Sequence, residues 1–302
     1  MRSEKNYTLL SISLLVAFLI GCSGKKATDS LSGVGAESAD SLVKYRTDAI
    51  KEIFYNIPSP LEMASLIEKS KVSYNPQLLS RYGREKEFLT QDFQALNLGV
   101  YGADLSYCRV FDQIQESIKY LSSIRNLTMA LQIPDDESSV AVERLEKNLA
   151  NKDSLINVSI ALFSEADLYL KENNREGTAV LILLGSWVEG MYLATQLVAD
   201  QSKTSALMEK IASQKLANQH LLNLYEPFHK ENPIRTEIFD RLKRLSDIYQ
   251  KVTMETTQTN AKTQPEQNKT VLTAEYRYTI DKETFEKLKN ELAAFRAFII
   301  KQ

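Results

Sequence analysis

The distribution of glycine is the feature that most limits the fold of this chain. All ten Gly lie at or before Gly190, and residues 191–302 contain none. Hairpin-rich β proteins depend on Gly at turns with positive φ. A region of this length without Gly is therefore hard to build as a β-sandwich. The seven Pro lie between segments of helical periodicity, where helices begin or end. The sequence therefore predicts an all-α fold, a multi-helix bundle of roughly seven to nine helices.

The segment from Thr178 to Ala199, TAVLILLGSWVEGMYLATQLVA, is apolar on nearly every face. A helix of this length could span a bilayer, at about 1.5 Å per residue. It contains Glu189, amphipathic helices flank it, and neither end has a clear excess of basic residues. A helix that is apolar all round is also typical of the centre of a bundle. We therefore predict a central core helix rather than a membrane span.

The end of the sequence has a different pattern. Residues 254–269 are polar and low in complexity, which favours a linker or exposed loop. Residues 271–280 alternate as a strand does, and Asp281 then precedes a helical apolar stripe. A lone strand and helix cannot fold alone, so this small C-terminal strand-helix appendage must dock on the bundle or on a partner.

The first residues resemble a bacterial lipoprotein signal. A short apolar run follows Arg2 and Lys5 and ends in Leu19-Ile20-Gly21-Cys22. The resemblance implies removal of residues 1–21 and lipid, such as palmitate, on Cys22, which would attach the chain to a membrane. Ser23, rather than Asp, follows the Cys. This resembles the pattern of lipoproteins of the outer membrane of the cell envelope, and we expect the protein to face the periplasm.

These patterns predict five regions along the chain. They are a signal peptide (1–21), a flexible tether (22–41), a helical bundle domain (42–253), a polar linker (254–269) and a C-terminal strand-helix segment (270–302).

Composition and missing motifs argue against several functions. The net charge of −2 gives no basic excess, so we expect no nucleic-acid partner. Cys108 is the only cysteine besides Cys22, and His220 and His229 are too far apart for a metal site on one helix. The sequence contains no nucleophile elbow and no Gly-rich phosphate loop. We therefore predict no metal, no cofactor and no assigned catalytic residue.

Two Leu-Gly segments contain the candidate binding residues. Each has an aromatic residue two positions after the Gly, then an acid, then a Tyr. The candidates are Tyr101, Asp104 and Tyr107 in the first segment, and Trp187, Glu189 and Tyr192 in the second. If these side chains faced one cavity, they would suit a cationic or sugar-like ligand.

A structural role for the same two acids is the simpler interpretation. A carboxylate in an apolar helix needs a partner, and Arg109, Lys119, Arg125 or a Tyr hydroxyl could each provide one. The Gly residues of both segments could likewise serve close helix packing rather than a ligand pocket.

Four segments resemble an uncharacterised family of helical lipoproteins from Bacteroidetes. They are IPSPLE (57–62), LNLGVYGADLSY (96–107), NLANKDSL (148–155) and GSWVEGMY (185–192). The resemblance implies an anchor and a helical fold but no activity. Our leading hypothesis is a non-enzymatic envelope protein that binds a protein partner or scaffolds an assembly. The alternative is a ligand-binding lipoprotein with a pocket between the two Leu-Gly helices. A weaker third interpretation is an enzyme that uses Asp104 or Glu189 as acid or base.

Overall fold

Helices account for most of the structure, which is a computed structural model. It describes residue 64 and residues 67–69, 72–134, 166–198, 205–264 and 269–301. The signal peptide, Cys22 and the tether lie outside the described residues. The elements are α1 (Gln91–Val110), α2 (Ile114–Ala130), α3 (Glu176–Leu197), α4 (Ser205–Tyr225), α5 (Pro233–Tyr249), β1 (Thr253–Gln264), β2 (Lys269–Thr279) and α6 (Lys282–Ile300). Three 3₁₀ turns cover Pro76–Leu78, Glu85–Glu87 and Glu226–Phe228, and residues 166–172 are also helical.

The predicted all-α bundle with a small C-terminal strand and helix is confirmed. Side-chain caps explain where several helices begin. Thr90, Asn232 and Asp281 each accept a hydrogen bond from the backbone N–H three residues later. Helix α1 begins only after Thr90, and residues 85–87 form a separate 3₁₀ turn.

Helix α3 is the central helix of the bundle. It is long and apolar enough to cross a membrane, and 89% of its most apolar stretch is buried inside the protein. It packs against α1, α4 and α6. Helix α3 is therefore buried on several sides by other helices, as expected for a central core helix.

The segment predicted as a polar linker, 254–269, instead forms most of a β-hairpin. Strand β1 pairs with β2 in antiparallel register from Thr253↔Thr279 to Gln264↔Lys269, with an irregularity between Thr256 and Gln258. The linker prediction was wrong for β1 because it relied on apolar alternation, which this strand lacks. Threonine is β-branched and suits a strand even where the strand is polar, and β2 provides the pairing partner.

Helix α6 docks on the bundle and completes its core. It packs against α3, α5 and α1. Its buried face carries the predicted apolar stripe of Phe285, Leu288, Leu292, Phe295 and Ile299. The predicted boundary at residue 270 therefore does not separate a detachable unit, because α6 shares one hydrophobic core with the earlier helices.

Candidate functional site

Helices α1 and α3 touch backbone to backbone where the two Leu-Gly segments meet. A Cβ atom placed on Gly185 would lie 2.0 Å from the Leu96 carbonyl oxygen. A Cβ atom placed on Gly99 would lie 2.0 Å from the Ile182 carbonyl oxygen. Only Gly fits at these two positions, so close helix packing accounts for both. The contact also fills the space in which a pocket between these helices would have to form.

Asp104 of α1 and Glu189 of α3 come together next to this crossing. Both side chains are fully buried. The backbone N–H of Ser80 donates to Asp104 Oδ2 at 3.1 Å, and the Ser80 hydroxyl donates to the same oxygen. Arg296 Nε of α6 donates to Glu189 Oε2 at 2.7 Å. Within the described part of the chain, no N–H or O–H group of another residue donates to Asp104 Oδ1 or to Glu189 Oε1.

Burial raises the pKa of Asp104 well above its usual range, and the negative charge of Glu189 raises it further. The positive charge of Arg296 and the hydrogen bond from Ser80 oppose this shift without cancelling it. A hydrogen bond to the nearby Glu189 side chain would act in the same direction on the pKa of Asp104. Two carboxyl groups can form such a bond only if one of them carries a proton.

Residues 72–84 form an extended segment, here called the strap, which crosses α1 and α2. Three tyrosine hydroxyls hold its backbone. Tyr107 accepts from the Asn75 N–H at 3.0 Å, Tyr101 donates to the Arg81 carbonyl at 3.0 Å, and Tyr120 donates to the Ser80 carbonyl. The strap is therefore bonded to α1 and α2, and its Ser80 bonds Asp104 of the acid pair.

Arg296 joins the strap, the acid pair and α6. Its Nη2 donates to the Leu78 carbonyl at 2.9 Å while its Nε contacts Glu189. Its guanidinium also lies over the Tyr192 ring, 4.2 Å from the ring centroid. Burial alone would lower the pKa of Arg296, but the Glu189 carboxylate reverses this effect and raises it. Arg296 is therefore charged, and most of its donors face partners inside the protein.

Five of the six predicted binding residues lie along this one network. Asp104 and Glu189 form its centre, Tyr192 packs on Arg296, and Tyr101 and Tyr107 hold the strap. Trp187 does not belong to it. Its indole N–H donates to Gln214 Oε1 of α4 at 3.0 Å. Trp187 is therefore bonded outside the network that joins the other five residues.

Sequence reasoning missed Arg296, Ser80 and Tyr120. Arg296 was detectable, because it follows Leu292 by four positions and precedes Ile299 by three, which places a charge on the buried face of α6. Ser80 gave no signal, since it lies in a segment without periodicity. Arg109, Lys119 and Arg125 had been considered as partners of the acids. Lys119 instead pairs with Glu116 at 2.9 Å.

A second buried ion pair joins α1 to α5. Arg235 Nη2 lies 2.7 Å from Asp92 Oδ1, and Asn232 Nδ2 donates to Asp92 Oδ2 at 2.9 Å. The same Arg235 guanidinium also bonds the carboxylate of Glu231, which is more exposed than Asp92. The role of the buried pair is to fix the start of α5 against the first turn of α1.

Neither metal nor thiol chemistry is supported by the remaining groups. No cluster of three or more His, Cys, Asp or Glu among residues 64–134, 166–198 and 205–301, where described, could hold a metal ion. Cys108 is buried, and burial raises the pKa of its thiol to about 12, which keeps it in the unreactive neutral form. Comparison of the chain with family models, curated proteins and solved structures finds no match.

Proposed function

We propose that this protein is a lipid-anchored envelope protein whose helical bundle presents a binding surface to a protein partner, without catalysing a reaction. The observation that carries this proposal is the pairing of Asp104 and Glu189 inside the core. An acid that bound a cationic ligand or transferred a proton to a substrate would have to reach it. Both acids are instead fully buried and bonded to Ser80 and Arg296.

The ligand-binding alternative has less support. Its pocket would have to open between the two Leu-Gly helices, where the backbones already touch at Gly99 and Gly185. Trp187, one of its proposed contacts, is bonded to Gln214 on another helix. The ligand would also need to displace the strap, which three tyrosine hydroxyls hold in place.

The β-hairpin is the surface that we propose for the partner. Within the described residues, β1 and β2 pair only with each other, so neither outer edge is paired with a further strand, although β2 also packs against α4. Met254, Tyr276 and Tyr278 lie on one face of the hairpin, since Met254 is opposite Tyr278. Tyr278 is buried against the bundle, whereas Met254 and Tyr276 are 49% and 47% exposed. An extended segment of a partner could add a strand at the edge and cover this apolar face.

A shortened hairpin tests the proposal without disturbing the core. Residues 256–276 are replaced by Asn-Gly, a two-residue turn that suits the Glu255↔Arg277 pair. Val252 and Tyr278, which anchor the hairpin base, are kept. We expect an unchanged melting temperature and the loss of a partner that is crosslinked to the wild-type chain in intact cells.

Leu89→Ser is the matched control, because Leu89 is 82% exposed and lies outside the hairpin. The control should keep the crosslinked partner. Capture of the same partner by the shortened chain, with its melting temperature unchanged, would refute the hairpin as the binding surface.

The anchor requires a separate test. Cys22→Ala should abolish palmitate labelling and leave uncleaved precursor, because the lipoprotein peptidase recognises the lipid-modified Cys. Labelling and fractionation of cells measure both effects. Normal labelling and processing of the variant would contradict the lipoprotein assignment.

A further inference from the structure

We propose that Asp104 and Glu189 share one proton and, together with Arg296, form a pH-sensitive lock that holds the strap and α6 against α1 and α3. This lock does not involve the hairpin. Two carboxyl oxygens, Asp104 Oδ1 and Glu189 Oε1, are buried and receive no hydrogen bond from any other described group. A buried acceptor without a donor costs about 1–3 kcal/mol, more if it is charged.

A single proton removes both deficits. Placed on Asp104 Oδ1 and donated to Glu189 Oε1, it gives each oxygen a hydrogen-bonding role. The other oxygen of each acid is already bonded, Asp104 Oδ2 to Ser80 and Glu189 Oε2 to Arg296. The proton therefore gives every carboxyl oxygen of the pair a hydrogen-bonding partner.

Charge balance leads to the same assignment. Among the described residues, Arg296 supplies the positive charge next to these acids. Two ionised carboxylates beside one guanidinium would leave an uncompensated negative charge in the core, which costs several kcal/mol (about 3–5 where one member of a buried pair is lost). With one proton shared, the three side chains together are neutral.

The other titratable groups around Asp104 stay neutral over the relevant pH range. They are Tyr101 and Cys108 of α1, Tyr120 of α2 and Tyr192 of α3. Burial raises the pKa of each above its ordinary value. The strap contributes Ser80, which has no charge. Any change of charge in this network at a pH below the pKa values of these four groups therefore comes from Asp104 rather than from them.

Losing the proton should loosen two elements together. The carboxylates would then repel each other and compete for Arg296, which also holds the Leu78 carbonyl of the strap. Because Arg296 belongs to α6, any displacement of its guanidinium weakens the docking of α6 and of the strap at once. A second bond joins the strap to α6, because Arg84 Nη1 donates to the Ile300 carbonyl at 2.9 Å.

The direction of the pH effect follows from the raised pKa of Asp104. In the unfolded chain the carboxyl ionises near its ordinary value, about 3.9. The folded protein keeps the proton to a higher pH. At a pH between these two pKa values, the Asp104 carboxyl is ionised in the unfolded chain but still protonated in the folded protein. Raising the pH there lowers the free energy of the unfolded state alone, so the free energy of unfolding falls. The equilibrium constant for unfolding should increase about tenfold per pH unit in this window.

The experiment measures denaturant unfolding and amide hydrogen exchange of the whole lipidated chain in detergent, from about pH 5 to about pH 9. In the wild type, exchange in residues 72–84 and 282–300, divided by the intrinsic exchange rate at each pH, should rise in parallel as pH rises. Asp104→Asn keeps a donor for Glu189 Oε1 and removes the proton that titrates. We expect this variant to lose most of the pH dependence and to exceed the wild type in stability at the alkaline end.

Asp92→Asn is the matched control, since it removes a buried acid that faces only Arg235 and Asn232. It should lower stability while keeping the full pH dependence of the wild type. Wild-type stability that does not fall across this range would overturn the proposal, as would an Asp104→Asn variant with the wild-type slope.

Infrared spectroscopy of the wild type keeps the proposal testable even if Asp104→Asn does not fold. At neutral pH the spectrum should contain the C=O band of a protonated carboxylic acid that disappears at alkaline pH. A wild-type spectrum without that band would overturn the shared proton.

Discussion

Replacing Gly185 by Ala tests whether the backbone contact between α1 and α3 positions the acid pair. The new Cβ atom would meet the Leu96 carbonyl oxygen at 2.0 Å, whereas ordinary contacts begin near 3.4 Å. The obstacle is backbone, so no side-chain rotation can relieve it. The two helices must move apart at their crossing, one helical turn before Glu189.

The free energy of this separation can be worked out from the packing. A buried leucine makes about 40–60 atomic contacts of about 0.1–0.2 kcal/mol, and a gap of about 0.5–1 Å forfeits a quarter or more of that energy. If two leucine-sized side chains beside the crossing each lose this fraction of their contacts, the packing energy falls by about 3 kcal/mol. The higher helix propensity of Ala returns about 1 kcal/mol. The net loss of about 2 kcal/mol should lower the melting temperature by about 4–8 °C in a protein of this size.

Gly177→Ala is the control on the same helix. Its new Cβ atom would meet side-chain atoms of Arg235 and Phe228 at 3.1 Å, and these side chains can shift. We expect its stability to stay within about 1 kcal/mol of the wild type. Calorimetry on both variants measures the difference. A Gly185→Ala melting temperature equal to that of the wild type would refute the argument that these helices are in backbone contact.

Three further predictions concern α3, α5 and α6. The chain from residue 42 onward should stay soluble without detergent on ultracentrifugation, and Val180→Asp in it should abolish cooperative unfolding, because Val180 is buried and an unpaired buried charge costs several kcal/mol (about 3–5). Tyr249→Phe should lower the free energy of unfolding by about 1 kcal/mol in a denaturant titration, since the Tyr249 hydroxyl donates to the Ile211 carbonyl at 3.2 Å. Asp281→Ala should lower the melting temperature by removing the α6 cap. Hydrogen bonds from Thr284 hold the pKa of Asp281 below its usual range, so the wild-type advantage over this variant should disappear as pH falls through that pKa.

Local signals in the sequence predicted much of the fold. Asp281 and the apolar stripe after it predicted α6. These features need only neighbouring residues, because caps and helical faces depend on spacings of three and four. Strand β1 depends instead on a partner strand, and its polar sequence carries no period by which to recognise it.

The candidate site was predictable only in part. Tyr101 and Asp104 are three residues apart on one helix, so they share a face, and the structure brings both to the strap. Trp187 and Glu189 are two residues apart, and helical geometry alone separates their side chains. The choice of Arg296 over nearer cations could not be made from sequence, because it depends on which helix docks against α3.

The order in which the chain is synthesised gives the ion pair between Glu189 and Arg296 a further consequence. These partners are 107 residues apart. A nascent chain that has reached only residue 281 contains every element from α1 to β2 but lacks the cation that Glu189 requires. Such a fragment would bury Glu189 without the partner that Arg296 provides, so we expect it to unfold more readily than the complete chain and to be cleaved faster by proteases.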